Sequence, residues 1–354
     1  MIKYIGSKRK LIPRIEAAFA DLPAGAAVLD LFSGTTRVAQ ALKRLGLVVT
    51  ANDHNRYAWT LARCYIASDR GAVEAEAAAL IKDLAQTPAA AGWFTRTYCE
   101  EARFFHPDNG ARIEGIRNRI AEMGLPEVLE SIALVSLMEA ADRVDSTTGV
   151  QMAYLKQWAP RATNPLTLRL PVLLDGDGVA TCLDAAEAAR RFCGAAAYVD
   201  PPYNQHSYRS NYHVWETLIR WDAPEVYGVA RKRIDCRTVK SDFNSKRKIA
   251  EAFARTIDGL DVERIVVSFN NEGFLDRDDI EAVLAQRGEP AIIEIDHKRY
   301  VGAQIGIFNP DGKRVGKVSH LRNKELLYIV DQDRDLSRQI AARVAESVGA
   351  ALSR

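Results

Sequence analysis

Val28-Leu29-Asp30-Leu31-Phe32-Ser33-Gly34-Thr35-Thr36 decides the fold. A short apolar run stops at a turn that carries a glycine. A helical pattern follows, with Val38, Leu42 and Leu45 as its apolar residues and Gly46 closing it. Leu47-Val48-Val49-Thr50-Ala51 then reads as a second strand, ended by Asn52-Asp53. Strand, glycine turn, helix and strand make a parallel βαβ unit with a right-handed crossover.

The pattern returns late in the chain. Ala195-Ala196-Ala197-Tyr198-Val199 reads as a strand that stops at Asp200-Pro201-Pro202-Tyr203. Arg264-Ile265-Val266-Val267-Ser268-Phe269 reads as another, ending in Asn270-Asn271. Ala291 to Ile295 and Glu325 to Val330 form a final pair around a polar, Gly-rich excursion, and a helix from about Leu336 to Leu352 closes the chain. Residues from about 70 to 165 differ. Ala72 to Leu84, Ala111 to Met123 and Glu127 to Val144 read as helices. In the last, Val128, Ile132 and Val135 share a face that Leu134, Leu137 and Met138 widen. Strand signals are weak there. Asp30 and Asp200 each end a strand and lie 170 positions apart. Three intervening βα units of roughly 30 residues leave about 80 residues over, close to the size of the helical block. The chain therefore reads as one α/β sheet, residues 1–68 and 166–354, interrupted by a mainly helical subdomain at 69–165.

Composition narrows the class. The 354 residues (39.2 kDa) are 47% hydrophobic and 27% charged, which excludes wholesale disorder. Forty-eight Lys and Arg face 46 Asp and Glu, a net charge of +2. Any nucleic-acid binding must therefore come from local patches. No uncharged apolar run approaches the ~18 residues of a membrane helix; the best, Ser131 to Met138, meets Glu139 at once. Met1 to Lys8 lacks the apolar core of a signal peptide. Cys64, Cys99, Cys182, Cys193 and Cys236 are dispersed, with no Cys-x-x-Cys pair. They read as reduced cytosolic thiols, with no disulfide frame and no metal site.

Two motifs carry chemistry. The glycine turn after Asp30 lets a ligand approach the backbone, and the following helix start offers free N–H groups. Asp53 ends the next strand, about 20 residues on, where an acid can accept both hydroxyls of a ribose. Phosphate cradles usually need more glycine, and there is no Walker lysine. A nucleoside with a zwitterionic tail fits better than a polyphosphate, although any βα turn could look this way. Asp200-Pro201-Pro202-Tyr203-Asn204 is more specific. Two consecutive prolines remove two donors and stiffen the chain, leaving carbonyls aimed into the crevice beyond the strand. Asp200 and the Pro201 carbonyl can each accept one N–H of an exocyclic amine while Tyr203 stacks on its ring.

Together these motifs resemble those of amino-methyltransferases that use S-adenosylmethionine (AdoMet), with Asp-x-Phe-x-Gly and Asp-Pro-Pro-Tyr in the matching order. Tyr4-Ile5-Gly6-Ser7-Lys8-Arg9-Lys10-Leu11 looks like the leading motif of the alpha-class (D12 class) DNA adenine-N6 methyltransferases. The resemblance covers residues 1–68 and about 166–330; the insert carries little of it. Thr36 stands where the family often has glycine. The resemblance implies a Rossmann-like AdoMet methyltransferase sheet whose helical insert recognises the target. It implies that Lys8 meets the methionine carboxylate and that Tyr4 packs beside the cofactor. Asp30, Phe32 and Gly34 would line it, and Asp53 would hold the ribose. Asp184, sixteen residues before Asp200, would meet the adenine edge; it is equally readable as a capping box before Ala185-Ala186-Glu187. A solvated lysine is the alternative reading of Lys8. Asp200, Pro201, Pro202 and Tyr203 would be catalytic, on a base flipped out of double-stranded DNA. No metal enters. A cytoplasmic, nucleoid-associated enzyme with a cognate restriction endonuclease as a further partner is the setting the family implies.

DNA contact has a local candidate. Arg231, Lys232, Arg233, Arg237, Lys240, Lys246, Arg247 and Lys248 face only Asp235 and Asp242, a net +6 in eighteen residues. This reads as a phosphate-binding strip or as a solvated basic helix. His206, Tyr208, Arg209, Asn211, Tyr212, His213 and Trp215 follow the catalytic motif and could hold the flipped base, with Trp215 better suited to packing. In the insert, Thr147-Thr148-Gly149, Tyr154, Lys156, Trp158 and Arg161 form a candidate base-reading segment. Cytosine-N4 enzymes usually carry Ser in place of Asp200. A C5-cytosine enzyme needs a Pro-Cys pair, which this chain lacks. RNA adenine methylation and a catalytically silent DNA-binding module are the remaining alternatives. Asn204 to Glu216 shows a faint similarity to methylases of type IIS restriction systems.

Overall fold

The computed structural model describes residues 2–271, 273–298, 307–308, 314–316 and 322–347. Seven strands form one sheet: β1 (Ala27–Asp30), β2 (Val48–Asn52), β3 (Gly178–Thr181), β4 (Cys193–Val199), β5 (Asp261–Asn270), β6 (Ala291–Lys298) and β7 (Arg322–Asp331). Their order is β3-β2-β1-β4-β5-β7-β6. The first five are parallel, and β7 runs antiparallel to both β5 and β6. A final antiparallel pair is what the late strand signals call for.

Side chains alternate across the sheet as period-2 strands require. Val28, Val49, Ala196, Tyr198 and Leu327 enter one hydrophobic core. Leu29, Ala197, Val199, Val267 and Tyr328 enter the other. Helices cover both faces. On the first lie α1 (Ile12–Phe19), α2 (Arg37–Arg44), α3 (Arg56–Tyr65), α4 (Arg70–Leu84), α5 (Pro107–Glu122), α6 (Glu127–Arg143) and, after Asp200–Tyr203, residues 213–220. Helices 185–191, 249–258 and 277–284 cover the second. The closing helix runs Arg334–Glu346 on the first face; the expected stretch 348–352 and most of the Gly-rich excursion lie outside the described residues.

Two differences from the sequence reading have physical causes. Between Asp30 and Asp200 the sheet gains two strands, β2 and β3, and not three. The four-residue β3 is an edge strand with Val179 half exposed, so it lacks the apolar run that marks a buried strand. The helices from 70 to 143 contain no strand, as expected, but they share one hydrophobic core with β1 and β2: Leu80, Leu84, Ile113, Ile132 and Val135 belong to the cluster of Val28 and Val49.

The order places the site. Strand succession reverses between β1 and β4, which are neighbours with Asp30 opposite Tyr198. In open α/β sheets the crevice at such a switch point, beyond the strand ends, is where ligands bind. Asp30 and Asp200 meet there despite their separation in sequence.

Candidate active site

The turn after β1 is built tightly. Leu31 N–H donates to Tyr198 O (3.1 Å) and Ser33 N–H to Asn52 O (2.8 Å), tying the β1, β2 and β4 ends together. Gly34 has φ +48°, and a Cβ there would lie 3.2 Å from the Tyr4 ring. Thr36, where the family often has glycine, adopts φ +62°. The left-handed turn is thus kept with a β-branched residue. Its hydroxyl accepts from Gln40 Nε2 (3.0 Å), a contact glycine could not make.

An open cleft lies over this turn, at the switch point beyond the strand ends. Tyr4, Lys8, Asp30, Phe32, Gly34, Asp53 and Asp200 all line it. Both oxygens of Asp53 are engaged: Oδ2 accepts from Gly34 N–H (3.1 Å), and Oδ1 from Asn55 N–H (2.9 Å). Buried polar atoms of lining residues without a partner among the described residues include five beside the turn: Ser7 Oγ, Asp30 Oδ1, Ser33 Oγ, Arg37 Nε and Asn55 Oδ1. A buried polar atom left unpaired costs about 1–3 kcal/mol, so such a cluster is shaped for a ligand rich in polar groups. A zwitterionic nucleoside meets that description. Of the five, sequence reasoning had singled out Asp30 alone; Ser and Asn beside a turn are too common to stand out.

A second cavity adjoins the first. Ile5, Val150, Met152, Tyr203, Asn204, His206, Tyr208 and Asn211 line it. Tyr208 belongs to both cavities, and Asp200 to Tyr203 separate them, with Asp200 and Pro202 on one side and Tyr203 on the other. Tyr208 is braced by a stack: its ring lies 5.2 Å from Tyr4, which lies 4.6 Å from Tyr212. Tyr203 rests on Phe269 (5.8 Å), and its carbonyl accepts from Phe274 N–H (2.8 Å). Trp215 is buried in the core, as a packing role requires.

Charge in the crevice is concentrated. Lys8 Nζ lies 3.0 Å from Asp200 Oδ1 and 2.6 Å from Glu325 Oε1. Lys8 is therefore buried on two protein carboxylates and not a solvated lysine. Burial alone would lower the Lys8 pKa, but Asp200 and Glu325 outweigh it and hold the ammonium well above its usual range. Burial pushes Asp200 up to about 6, against the opposing pull of Lys8. Asp30 is pushed up to about 8 by burial, with Ala39 N–H opposing at 3.0 Å and Asp200 and Asp53 adding repulsion. Glu325 escaped the sequence reading because its partner Lys8 is 317 positions away.

Other expectations resolve differently. Asp184 is exposed and caps the helix after it, accepting from Ala186 N–H (3.0 Å); it is absent from the cleft lining. Among the basic residues, Arg237, Lys240, Lys246, Arg247 and Lys248 are exposed, while Arg231 and Lys232 are half-buried. Arg233 is buried, forked on Asp222 (2.6 and 2.8 Å) and within 3.2 Å of Asp235, so it holds the segment together and is closed to phosphate. The segment is not one helix: an antiparallel hairpin (Val226–Tyr227 with Lys232–Arg233) leads into short turns. It leans on the loop after Asp200–Tyr203, where Asn244 Nδ2 donates to Asn204 O (2.7 Å) and His206 O (3.3 Å). In the helical block, Arg161 and Thr147 turn inward onto Asp145, whereas Lys156 is exposed. Val150 and Met152, not singled out beforehand, reach the second cavity.

No helix among the described residues is long and apolar enough to cross a membrane, and no group of three or more metal-ligating side chains occurs among them. The sequence is 29% identical over 316 residues to "Type II methyltransferase M.NlaIII" of Neisseria lactamica, covering 84% of this chain and 92% of that one. It is 28% identical to "Modification methylase StsI" of Streptococcus sanguinis and to "Type II methyltransferase M.FokI" of Planomicrobium okeanokoites, of which it spans 48% and 50%. Residues 4–282 match the family described as D12 class N6 adenine-specific DNA methyltransferase. Since that match takes in both motifs and most of the chain, the protein belongs to the D12 class of AdoMet-dependent, N6 adenine-specific DNA methyltransferases.

Proposed function

We propose that this enzyme is a modification methylase of a restriction-modification system, acting on an adenine flipped out of duplex DNA at a specific site. One observation carries the reading: Asp200-Pro201-Pro202-Tyr203 stands between a polar cleft and a second, more apolar cavity. The first suits AdoMet and the second a base. Asp53 would hold the ribose, Asp30 the methionine ammonium through its unpaired oxygen, and Arg37 the carboxylate in place of Lys8. Tyr4, Phe32 and Gly34 would line the rest. When bound, AdoMet would supply the methyl group, the sulfur keeping the electron pair and leaving as a neutral thioether, while the proton given up by the methylated amine would pass to water. No metal is needed for this.

The chain's own residues do the remaining work. An aromatic amine is a poor nucleophile because its lone pair is delocalised into the ring. Asp200 and the Pro201 carbonyl, by accepting its two hydrogens, draw the nitrogen toward sp³ and localise that pair. Tyr203 stacks on the base, and positioning and electrostatics supply the rate. Arg231, Lys232, Arg237, Lys240, Lys246, Arg247 and Lys248 would track the phosphates beside the catalytic loop. Residues 69–165 would contribute target recognition, with Val150 and Met152 at the base cavity.

The test is direct. The chain is expressed in a host lacking adenine methylation, and its DNA is hydrolysed and analysed by mass spectrometry. N6-methyladenine is expected, and sequencing of the methylome would give the target site. Its absence, with folded protein present, would transfer the reading to RNA, to cytosine-N4 or to a silent module. Asp200→Ala should abolish transfer while the AdoMet dissociation constant stays within a few-fold.

A further inference from the structure

We propose that Glu325 is a positioning residue for methyl transfer: held by Ser268 and Asn270, it anchors the Lys8 ammonium, which in turn fixes the Asp200 carboxylate against the target amine. The inference rests on the reading of Asp200 given above.

The geometry is a relay across the sheet. Glu325 lies on β7, paired directly with Asn270 at the end of β5. Its Oε1 accepts from Ser268 Oγ (2.8 Å) and from Lys8 Nζ (2.6 Å), and its Oε2 from Asn270 Nδ2 (3.4 Å). All four residues are buried. Lys8 meets Asp200 through Oδ1 at 3.0 Å, and Oδ2 has no partner among the described residues. One carboxylate oxygen is thus pinned and the other left to accept from substrate.

Charge explains why a second acid is there. With Glu325 the trio carries one positive and two negative charges. With Lys8 and Asp200 alone it would be neutral, and an ammonium drawn wholly onto Asp200 would weaken that carboxylate as an acceptor. A net negative charge also favours the positive charge that gathers on the amine as the new bond forms. Breaking a buried, hydrogen-bonded charge cluster is costly, so the arrangement is rigid. The groups facing Asp200 are Lys8 from the N-terminal segment, Glu325 from β7, Tyr198 from β4, Asp30 from β1 and Tyr208 from the following loop. Of these, Lys8 lowers and Glu325 raises the Asp200 pKa.

Glu325→Gln keeps the shape and removes the charge. kcat should fall on the order of tenfold to a hundredfold, with KM for DNA and the AdoMet dissociation constant within a few-fold of wild type. The acid limb of the kcat profile should move to lower pH, because a carboxylate that raises the Asp200 pKa has gone. Glu325→Asp should recover part of the rate. An unchanged kcat and unchanged acid limb in folded Glu325→Gln would overturn the proposal. If that variant does not fold, Ser268→Ala decides: a smaller loss of kcat with a displaced acid limb supports the relay, and wild-type behaviour overturns it. Failure of the underlying reading looks different, since wild type would then make no N6-methyladenine, or Asp200→Ala would retain activity.

Discussion

Gly34 and Asp30 show what single residues do here. A non-glycine residue at the Gly34 φ of +48° costs roughly 1 kcal/mol, and the added Cβ would press on Tyr4 at 3.2 Å. Gly34→Ala should therefore lower Tm by only about 1–2 °C and weaken AdoMet binding about tenfold or more, since Tyr4 and Gly34 line the same cleft. Calorimetry checks both, and an unaltered dissociation constant would remove Gly34 from the site. Asp30 is a pH device. Burial, the chief cause, pushes its carboxyl from the ordinary aspartate value of 3.8 up to about 8. A carboxyl group raised in this way stabilises the fold fully below about pH 4, and its contribution is lost as pH rises toward 8. Asp30→Asn keeps an acceptor for Ala39 N–H and cannot ionise. The stability advantage of ligand-free wild type over this variant should shrink by a few kcal/mol between pH 5 and 8, at about 1.4 kcal/mol per unit. Parallel curves would show that Asp30 titrates normally. At this scale the sequence was legible where a residue type is rare in its setting, as with Asp200 before two prolines. It was silent where ordinary residues gain meaning through distant partners: Glu325 through Lys8, and Ser7, Ser33, Arg37 and Asn55 through a shared cleft.

Among the elements, the segment from 226 to 248 is the one whose reading changed most. Eight cations in eighteen residues suggest one uniform strip, yet burial divides them. Arg233 works inward and the exposed Lys246 and Arg247 outward. Replacing Lys246 or Arg247 with Ala should weaken DNA binding at moderate salt and reduce the slope of log affinity against log salt by about 1 each, with Tm unchanged. Arg233→Ala should instead cost about 1–3 kcal/mol of stability, because it removes a buried, hydrogen-bonded fork and leaves Asp222 and Asp235 to Arg220 alone at close range. Equal effects on salt slope from all three would restore the uniform strip. Regular elements were read well where an apolar run or a helix-favouring composition marks them: β1, β2, β4, β5 and the three helices between 70 and 143 fall close to expectation. The edge strand β3 and the 226–233 hairpin were not, because neither has a buried face long enough to leave a pattern in the chain.

For the whole molecule, the helical block is bound to the sheet by a common core and not hung on it by a linker. Leu61 and Tyr65 of α3, Val49 and Ala51 of β2, and Leu84, Ile116, Ile132 and Leu137 of the block belong to one cluster. This has a functional consequence. Val150 and Met152 at the second cavity follow directly on that block, whereas Asp30 and Asp200 stand at strand ends of the sheet. Methyl transfer tolerates little misplacement of base against cofactor, and a shared core holds the two halves of the site in one frame. Such a core should also melt as one. We expect coincident urea transitions from far-UV circular dichroism, which follows sheet and helices together, and from tryptophan fluorescence, in which Trp93 and Trp221 (ring centroids 4.8 Å apart) report the helical side. Removing Arg70–Arg143 would strip the cover from Val28 and Val49, so the remainder should fail to fold rather than survive as a smaller domain. Two separated transitions, or a soluble and cooperatively folded deletion variant, would mean that the block is an independent subdomain after all.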